Sequence, residues 1–397
     1  MRINVIQSVS DLSSFSGGPS RSISSLADSL QDSKVDVSII TPFSKQSLEN
    51  PIILPSNKFV KVLKAKRNLY GTNFMFDRAY YQLLSESIKD REHTIIHDNG
   101  IWLSSNYTVS KFARNLSLPL VISTHGMLQD WSIRHKYFKK KIAWFLYQRN
   151  HIKSASLIHA TSLNEAESIK KISLNVPIAI IPNGVKKPKY NNLKQTLNLR
   201  KFGINLPEDK ILLFIGRIHP VKGLMNLLKT WKSVKPFKNN WKLVIAGPSD
   251  SNYSNILDRF VKDNSLEKNV IFLGPVEGDD LSSLYRQSTL FVLPSFTENF
   301  GMVVLEALSY GLPVITTKGT PWPQLISSDS GWWVEPNVEN LSHAISLAVN
   351  LDDTRLHQMS LNAIQLSEKY NWENISLEFY KVYQWLLGKS CKPDSVI

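Results

Sequence analysis

Two short stretches of the chain combine residue types that bind anions and polyols. Gly216-Arg217-Ile218-His219-Pro220-Val221-Lys222-Gly223 follows directly on an apolar run at 211–215. A strand that ends in glycine and delivers Arg217 and Lys222 into a turn sets two cations at its C-terminal end. A diphosphate could sit there, held by the planar fork of Arg217 and the point charge of Lys222, each charge-assisted bond contributing about 1.5–3 kcal/mol. A solvated turn would use the same residues, and on this stretch alone the two readings are equal. The second stretch, Pro294-Ser295-Phe296-Thr297-Glu298-Asn299-Phe300-Gly301-Met302-Val303-Val304-Leu305-Glu306-Ala307, follows the apolar run at 290–293. A helix starting near Asn299 to Gly301 would present free N–H groups and its positive dipole end to an anion, and Gly301 lets a ligand approach the backbone. Glu298 then lies in the loop before the helix and Glu306 about two turns in. Carboxylates accept well from sugar hydroxyls, so this pair could grip a sugar and a ribose at either end of a diphosphate. The alternative is a capping Glu298 and a solvated Glu306. It is weakened by the apolar surroundings of Glu306 at 302–308, where an unpaired carboxylate is costly.

These residues must be positioned by strands and helices, and the pattern of the chain supplies them. Short runs rich in Val, Ile and Leu lie at 3–7, 35–40, 94–97, 118–123, 156–160 and 178–181, then at 211–215, 242–246, 270–273, 290–293 and 314–316. Runs of this kind predict parallel strands buried on both faces, and the helical stretches between them give the βαβ signature of a doubly wound α/β sheet. With 397 residues and 42% hydrophobic content, two such sheets fit better than one very large sheet. The boundary falls after Ile181-Pro182-Asn183-Gly184, beyond which 185–205 is polar and rich in Lys and Asn. The aromatic-rich stretch at 367–387 predicts terminal helices whose rings pack in a core. Two α/β domains imply a ligand at the C-terminal ends of the strands.

The combination Gly-Arg-x4-Lys-Gly followed by Glu-x7-Glu, within Phe-Val-Leu-Pro-Ser…Glu-Asn-Phe-Gly…Glu-Ala…Gly-Leu-Pro-Val, resembles glycosyltransferase family 4. The likeness is tight over 211–317 and looser before it. It implies retaining, nucleotide-sugar-dependent chemistry on a GT-B fold, two Rossmann-like doubly wound domains facing a cleft. The domains would be 1–185 on the acceptor side and 208–372 on the nucleotide-sugar side, with 186–207 as linker and a helix at 373–397 able to cross back to the first domain. The resemblance assigns Arg217 and Lys222 to the donor diphosphate, Glu298 to the donor sugar hydroxyls and Glu306 to the ribose. The backbone of Gly301, Met302 and Val303 would approach phosphate and sugar, with Gly216, Asn299 and Phe300 completing the donor set. The family's glycine pair after the first strand is matched by Gly17-Gly18, with Pro19 or Ser20 opening a helix; an ordinary loop turn is the other reading. His125, in Ser123-Thr124-His125-Gly126, matches the cleft histidine beside the reacting centre. His125, Glu298, Arg217 and Lys222 are thus the implied catalytic set.

One stretch departs from the family pattern. Lys318-Gly319-Thr320-Pro321-Trp322-Pro323-Gln324 carries Gln324 where an acidic residue is usual, so contacts of 319–324 are not carried over. Trp322 either lines the acceptor cleft or packs in the core. No Asp-x-Asp occurs, no Cys/His cluster has zinc spacing, and His93 and His97 flank a strand-like Thr94-Ile95-Ile96. No metal and no cofactor are expected. The nucleotide sugar, with UDP the expected nucleotide, is the donor substrate, and the leaving diphosphate relies on Arg217, Lys222 and helix N-termini.

The net charge of +14 is unevenly placed: residues 1–190 hold 26 Lys and Arg against 13 Asp and Glu, and the remainder 21 against 20. An anionic partner for the first half follows. Trp131, His135, Phe138, Ile142 and Phe145 recur at helical spacing, with Lys136, Lys139 and Lys140 on another face. Lys58, Lys61, Lys64, Lys66 and Arg67 among apolar residues have the same character. Such segments dock on anionic membranes, although a helix packing its aromatics inward fits the first equally. The acceptor expected from the family's surface-polysaccharide members is a lipid-diphosphate saccharide, as in lipopolysaccharide or O-antigen synthesis. Cys391 is the one cysteine, and no apolar run is long enough to span a bilayer. A cytoplasmic protein, peripheral on the inner face of the membrane, is the expectation. A nucleic-acid-binding protein would explain the charge but not the glutamates and glycine turns, and no nucleic-acid motif is present. A sugar-nucleotide epimerase of similar architecture is the nearer rival. A nicotinamide dehydrogenase is disfavoured by the lack of Gly-x-Gly-x-x-Gly after the first strand.

Overall fold

The computed structural model describes the chain apart from residues 1, 14–17, 34, 44–51, 67–76, 135–136, 173–174, 189–196 and 250. The chain divides into two units, Met1–Gly184 with Asn371–Ile397, and Val185–Tyr370. Each is built on its own parallel sheet with helices between the strands.

The first unit holds β1 (Ile3–Val9), β2 (Val35–Phe43), β3 (Lys61–Lys66), β4 (Thr94–Asn99), β5 (Leu120–Ser123), β6 (Leu157–Ala160) and β7 (Ile178–Ile180). They lie in the order β3-β2-β1-β4-β5-β6-β7, all parallel. Alternation along β1 sends Ile3 and Val5 to one face and Ile6 to the other, so the sheet is cored on both sides. On the first face lie helix Gly18–Asp32 and the C-terminal helix Trp372–Leu386, with Trp372, Phe379 and Tyr383 buried among strand residues. The last residues finish the job: Ile180 N–H donates to Ser395 O at 2.8 Å and Ile397 N–H to Ile178 O at 2.9 Å, an antiparallel pairing that covers the β7 edge.

A buried polar chain ties the C-terminal helix to this sheet. Tyr383 Oη and His97 Nδ1 are 2.7 Å apart, as are His97 Nε2 and Ser123 Oγ, Ser123 Oγ and His159 Nδ1, and His159 Nε2 and Ile181 O. The carbonyl of Ile181 only accepts, so His159 carries its proton on Nε2. Ser123 then donates to His159, His97 donates to Ser123, and Tyr383 donates to His97. Burial holds both imidazoles below the ordinary histidine range, which suits the neutral forms this chain requires.

The second unit holds β8 (Lys210–Ile215), β9 (Trp241–Ala246), β10 (Val270–Gly274), β11 (Leu290–Leu293), β12 (Val314–Thr317) and β13 (Gly331–Val334), in the parallel order β10-β9-β8-β11-β12-β13. Leu199 and Ile204 are buried in its core, with Leu197 and Leu206 packed against it. The stretch expected as a linker at 186–207 is therefore joined to this unit, through the burial of Leu199 and Ile204.

Two strands were absent from the sequence reading. β13, Gly-Trp-Trp-Val, is a half-buried edge strand that lacks the branched aliphatic run. β3 is an edge of the first sheet, and it carries Lys61 and Lys64, two of the lysines expected to dock on a membrane. Lys61 and Lys64 are exposed while Ala65 between them and the core is buried, the pattern of a lysine-guarded edge. Among the described residues no helix is long and apolar enough to cross a membrane.

Candidate active site

In the second sheet the strand order reverses between β8 and β11, and loops after these two neighbours are where an open α/β sheet binds ligands. Both motif stretches emerge there. The loop after β8 runs through Gly216 and the exposed Arg217, then forms a 3₁₀ turn at Pro220–Lys222 closed by Gly223. His219 caps that turn, its Nδ1 accepting from Val221 N–H at 3.2 Å. Gly223 has φ +69°, and a Cβ there would stand 2.1 Å from Pro294 O, so only glycine lets the two loops meet. Phe296 N–H donates to Val221 O at 2.9 Å, fastening the loop after β11 onto the loop after β8.

The structure brings Lys222 and Glu298 together as an ion pair between Lys222 Nζ and Glu298 Oε1, with Ser295 Oγ donating to the same oxygen at 2.7 Å. Their side chains are only 16% and 14% exposed, so the pair is poorly screened by solvent. Helix Met302–Ser309 begins immediately beyond, capped by Gly301 in the left-handed region at φ +77°. Gly301 brings no side chain to cap it, and the N–H groups of Met302 and Val303 have no acceptor within the helix. Asn299 is half-buried before the cap and Phe300 is buried. Glu306 lies in the second turn of this helix rather than two turns in, since the helix starts at Met302. It is half-buried and its Oε2 accepts from Tyr285 Oη at 2.9 Å. Tyr285 is itself stacked on Tyr310 at 5.0 Å between ring centroids. Tyr285 is a partner that helps a carboxylate sit among apolar neighbours, and no local pattern in the sequence points to it.

The loop that departs from the family pattern contributes after all. Glu298 N–H donates to Gly319 O at 2.8 Å, and Thr317 Oγ1 donates to Ser295 O. Trp322 packs in the core: it is 1% exposed, its Nε1 donates to Phe300 O at 2.6 Å, and its ring lies 5.2 Å from Phe300 and 5.3 Å from Tyr370. It anchors the residue before Gly301 and is not available to line an acceptor cleft. Gln324 opens a short helix, Gln324–Ser327.

In the first unit the strand order reverses between β1 and β4. Helix Gly18–Asp32 follows β1 and starts at Gly18 itself; Gly17 lies outside the described residues. His125 follows β5 in the left-handed region at φ +46°, its Nε2 3.4 Å from Asn99 Oδ1 at the end of β4. Burial pushes its imidazole down to about 4, opposed by the Glu165 carboxylate and reinforced by His159. Asn99 and Glu165 were both missed in the sequence. His93 pairs with Asp90 and His97 is in the buried chain described above, so the two do not converge. Among the described residues no group of three or more His, Cys, Asp or Glu is placed to hold a metal ion.

The aromatic segment of this unit faces outward. Tyr137–Ala143, the π-turn Trp144–Gln148 and Arg149–Lys153 follow one another as helix. Phe138 is 80% exposed, Phe145 72%, Ile142 61% and Leu146 57%, and Lys139, Lys141, Arg149 and Lys153 are exposed beside them. Inward packing is therefore excluded for Phe138, Ile142 and Phe145; His135 and Lys136 lie outside the described residues. The inner side is fixed by the π-turn, from which Tyr147 Oη donates to Trp102 O at 2.7 Å and Gln148 Oε1 accepts from Trp102 N–H at 2.8 Å.

Paired parallel-sheet units with switch-point loops of this kind define the GT-B class, and solved structures of that class agree over nearly the whole chain. Sucrose-phosphate synthase from Thermosynechococcus elongatus matches with a TM-score of 0.78 at 18% identity, covering 98% of this chain and 100% of that one. Anabaena HepE in complex with UDP and glucose matches with a TM-score of 0.72 at 16% identity, covering 97% and 100%. Residues 16–187 match the family described as Glycosyltransferase Family 4, and residues 197–366 that described as Glycosyl transferases group 1. The two matches follow one another along most of the chain, which is similar to glycosyltransferase family 4. An uncharacterized glycosyltransferase of Methanocaldococcus jannaschii is 30% identical over 213 residues, 52% of this chain and 54% of the relative. Lipopolysaccharide 1,2-N-acetylglucosaminetransferase of Salmonella typhimurium is 28% identical over 211 residues, 51% and 55%. The chain thus spans about half the length of these relatives.

Proposed function

We propose that the protein is a retaining glycosyltransferase that moves a sugar from a nucleotide-diphosphate sugar to a saccharide acceptor. The observation that carries this reading is the Lys222–Glu298 pair beside the glycine-capped start of helix Met302–Ser309, at the strand-order reversal of the second sheet. A cation, a carboxylate and a helix N-terminus within one loop pair suit a sugar diphosphate and little else. Arg217, Lys222 and the N–H groups of Met302 and Val303 hold the diphosphate, Glu298 accepts from the donor sugar hydroxyls, and Glu306 accepts from the ribose. Bond breaking leaves negative charge on the diphosphate. Preorganised donors of this kind are worth about 3–4 kcal/mol each in the transition state. The acceptor oxygen attacks the anomeric carbon from the face the diphosphate leaves, and its proton passes to the departing phosphate oxygen. His125 serves the reacting centre.

UDP as the nucleotide is supported by the UDP-bound structural neighbour. A lipid-borne saccharide as acceptor, here taken as a lipid diphosphate, is in keeping with the lipopolysaccharide named for the Salmonella relative and with the exposed apolar and basic helix face of the first unit. That face lies on the anionic leaflet, which makes the protein peripheral on the cytoplasmic side of the membrane. A panel of nucleotide sugars, assayed for nucleotide release with and without a lipid-diphosphate saccharide, tests the reading. Release from one donor that depends on the acceptor is expected. Conversion of a donor with no acceptor present would replace it with an epimerase.

A further inference from the structure

The turn that carries His125 is shaped by a residue with no place in the donor site. Thr124-His125-Gly126 makes two consecutive left-handed residues, φ +46° at His125 and +75° at Gly126, closed by Met127 N–H donating to Thr124 O at 2.9 Å. A left-handed histidine is strained and persists only where its surroundings impose it. Both residues flanking it are held by one carboxylate. Glu165 Oε1 accepts from Thr124 Oγ1 at 2.6 Å and from Gly126 N–H, the residues on either side of His125. Its Oε2 accepts from Thr161 N–H and Thr161 Oγ1, both at 2.8 Å, at the end of β6.

Glu165 is 1% exposed and sits in the first turn of helix Leu163–Lys170, behind the N-cap Ser162. Ser162-Leu163-Asn164-Glu165 has the spacing of a capping box, whose glutamate would normally turn back to the N-cap N–H. Here the carboxylate spends its oxygens across two strand ends instead. Burying a carboxylate among neutral donors is costly, and a cap alone does not require it. The charge lies next to His125 and favours its protonated form against burial and against His159.

We propose that Glu165 is the positioning residue for His125, resting on the reading of His125 given above: it imposes the left-handed turn and supplies the fixed negative charge behind the ring. A misplacement of about 1 Å at a reacting centre costs on the order of a hundredfold in rate. Glu165→Gln keeps the shape but sets an N–H₂ group against donors on one side, those of Thr161 or those of Thr124 and Gly126, so the clasp opens.

The test is a kinetic cycle on the full chain with the donor found in the panel. Glu165→Gln is expected to lower kcat by about 10- to 100-fold with the donor KM within about threefold, at unchanged far-UV circular dichroism. In a His125→Ala background the same substitution is expected to cost less than about twofold, because two residues acting as one unit are not additive. An equal loss in both backgrounds, or an unchanged kcat, overturns the proposal. Thr124→Val removes one donor from the His125 side alone and is expected to show a smaller fall in kcat with the same constant KM. It decides the matter should Glu165→Gln not fold, and a rise in KM alone would count against the proposal. Full activity in His125→Ala would instead refute the role given to His125, a separate failure.

Discussion

Lys222 and Glu298 stand 76 residues apart in the chain and share an ion pair whose second donor is Ser295. The types and local spacing of these residues were legible in the sequence because each follows an apolar strand run. Their pairing was not, because it depends on β8 and β11 being neighbours, which no local pattern encodes. Glu165 was hidden for a related reason: its signal is an ordinary capping box, and its actual partners, Thr124 and Gly126, lie on another strand. Gly223 allows a check at this scale. Gly223→Ala adds a Cβ 2.1 Å from Pro294 O at φ +69°, whereas Gly203→Ala, at φ +73°, meets nothing within 4 Å. Backbone strain alone costs about 1–3 kcal/mol, so Gly203→Ala is expected within that range by urea denaturation. Gly223→Ala is expected to cost more than Gly203→Ala, since the loops must also separate. Equal costs would mean that the contact between the loops contributes nothing.

At the scale of elements, the strands with Val, Ile and Leu runs were readable because parallel strands are buried on both faces. The two edge strands were not. β3 hides behind Lys61 and Lys64, and β13 behind two tryptophans, since an edge strand needs only one buried face. The helical segment at 137–153 was readable in period but not in direction, because helical spacing of Phe138, Ile142 and Phe145 is the same whether the face turns inward or outward. Exposure of those three, with Leu146 and four basic residues, leaves an apolar row that water does not favour. The paired substitution Phe138→Ser with Phe145→Ser is expected to weaken co-sedimentation with vesicles containing anionic lipid by about tenfold or more, while binding of nucleotide is unchanged. Unaltered sedimentation would remove the membrane from the account.

At the scale of the whole chain, the division into two sheet-based units was legible from length and alternation, and its exact course was not. The stretch at 186–207 joins the second unit through Leu199 and Ile204, and the C-terminal residues 371–397 join the first, which places its helix Trp372–Leu386 far in sequence from the strands it covers. The first unit also sets a pH dependence. His97, His151 and His159 are buried and His125 is half-buried, and all four are held below their ordinary range, His125 down to about 4 and His151 to about 3. Below about pH 6.5 the unfolded chain takes up protons that the folded chain does not, so stability present above that pH is lost as pH falls toward 4. Asp98 acts in the opposite sense: burial raises it to about 7, so the folded form binds a proton that the unfolded form lacks down to about pH 4. Four histidines outweigh one aspartate, and each net proton contributes about 1.4 kcal/mol per pH unit. The melting temperature of the first unit is expected to fall between pH 6.5 and 5; a flat or rising profile would show that these imidazoles are charged in the folded protein.

The claim on which the rest depends is that the loops after β8 and β11 hold a nucleotide-sugar diphosphate. Calorimetric titration with UDP-, GDP- and ADP-sugars, on the wild type beside Arg217→Ala and Lys222→Ala, tests it most directly. One site is predicted for one of these donors. Each substitution is expected to weaken it by about 10- to 100-fold, the equivalent of a lost charge-assisted bond. No binding of any donor, or binding that both variants leave unchanged, would contradict the account.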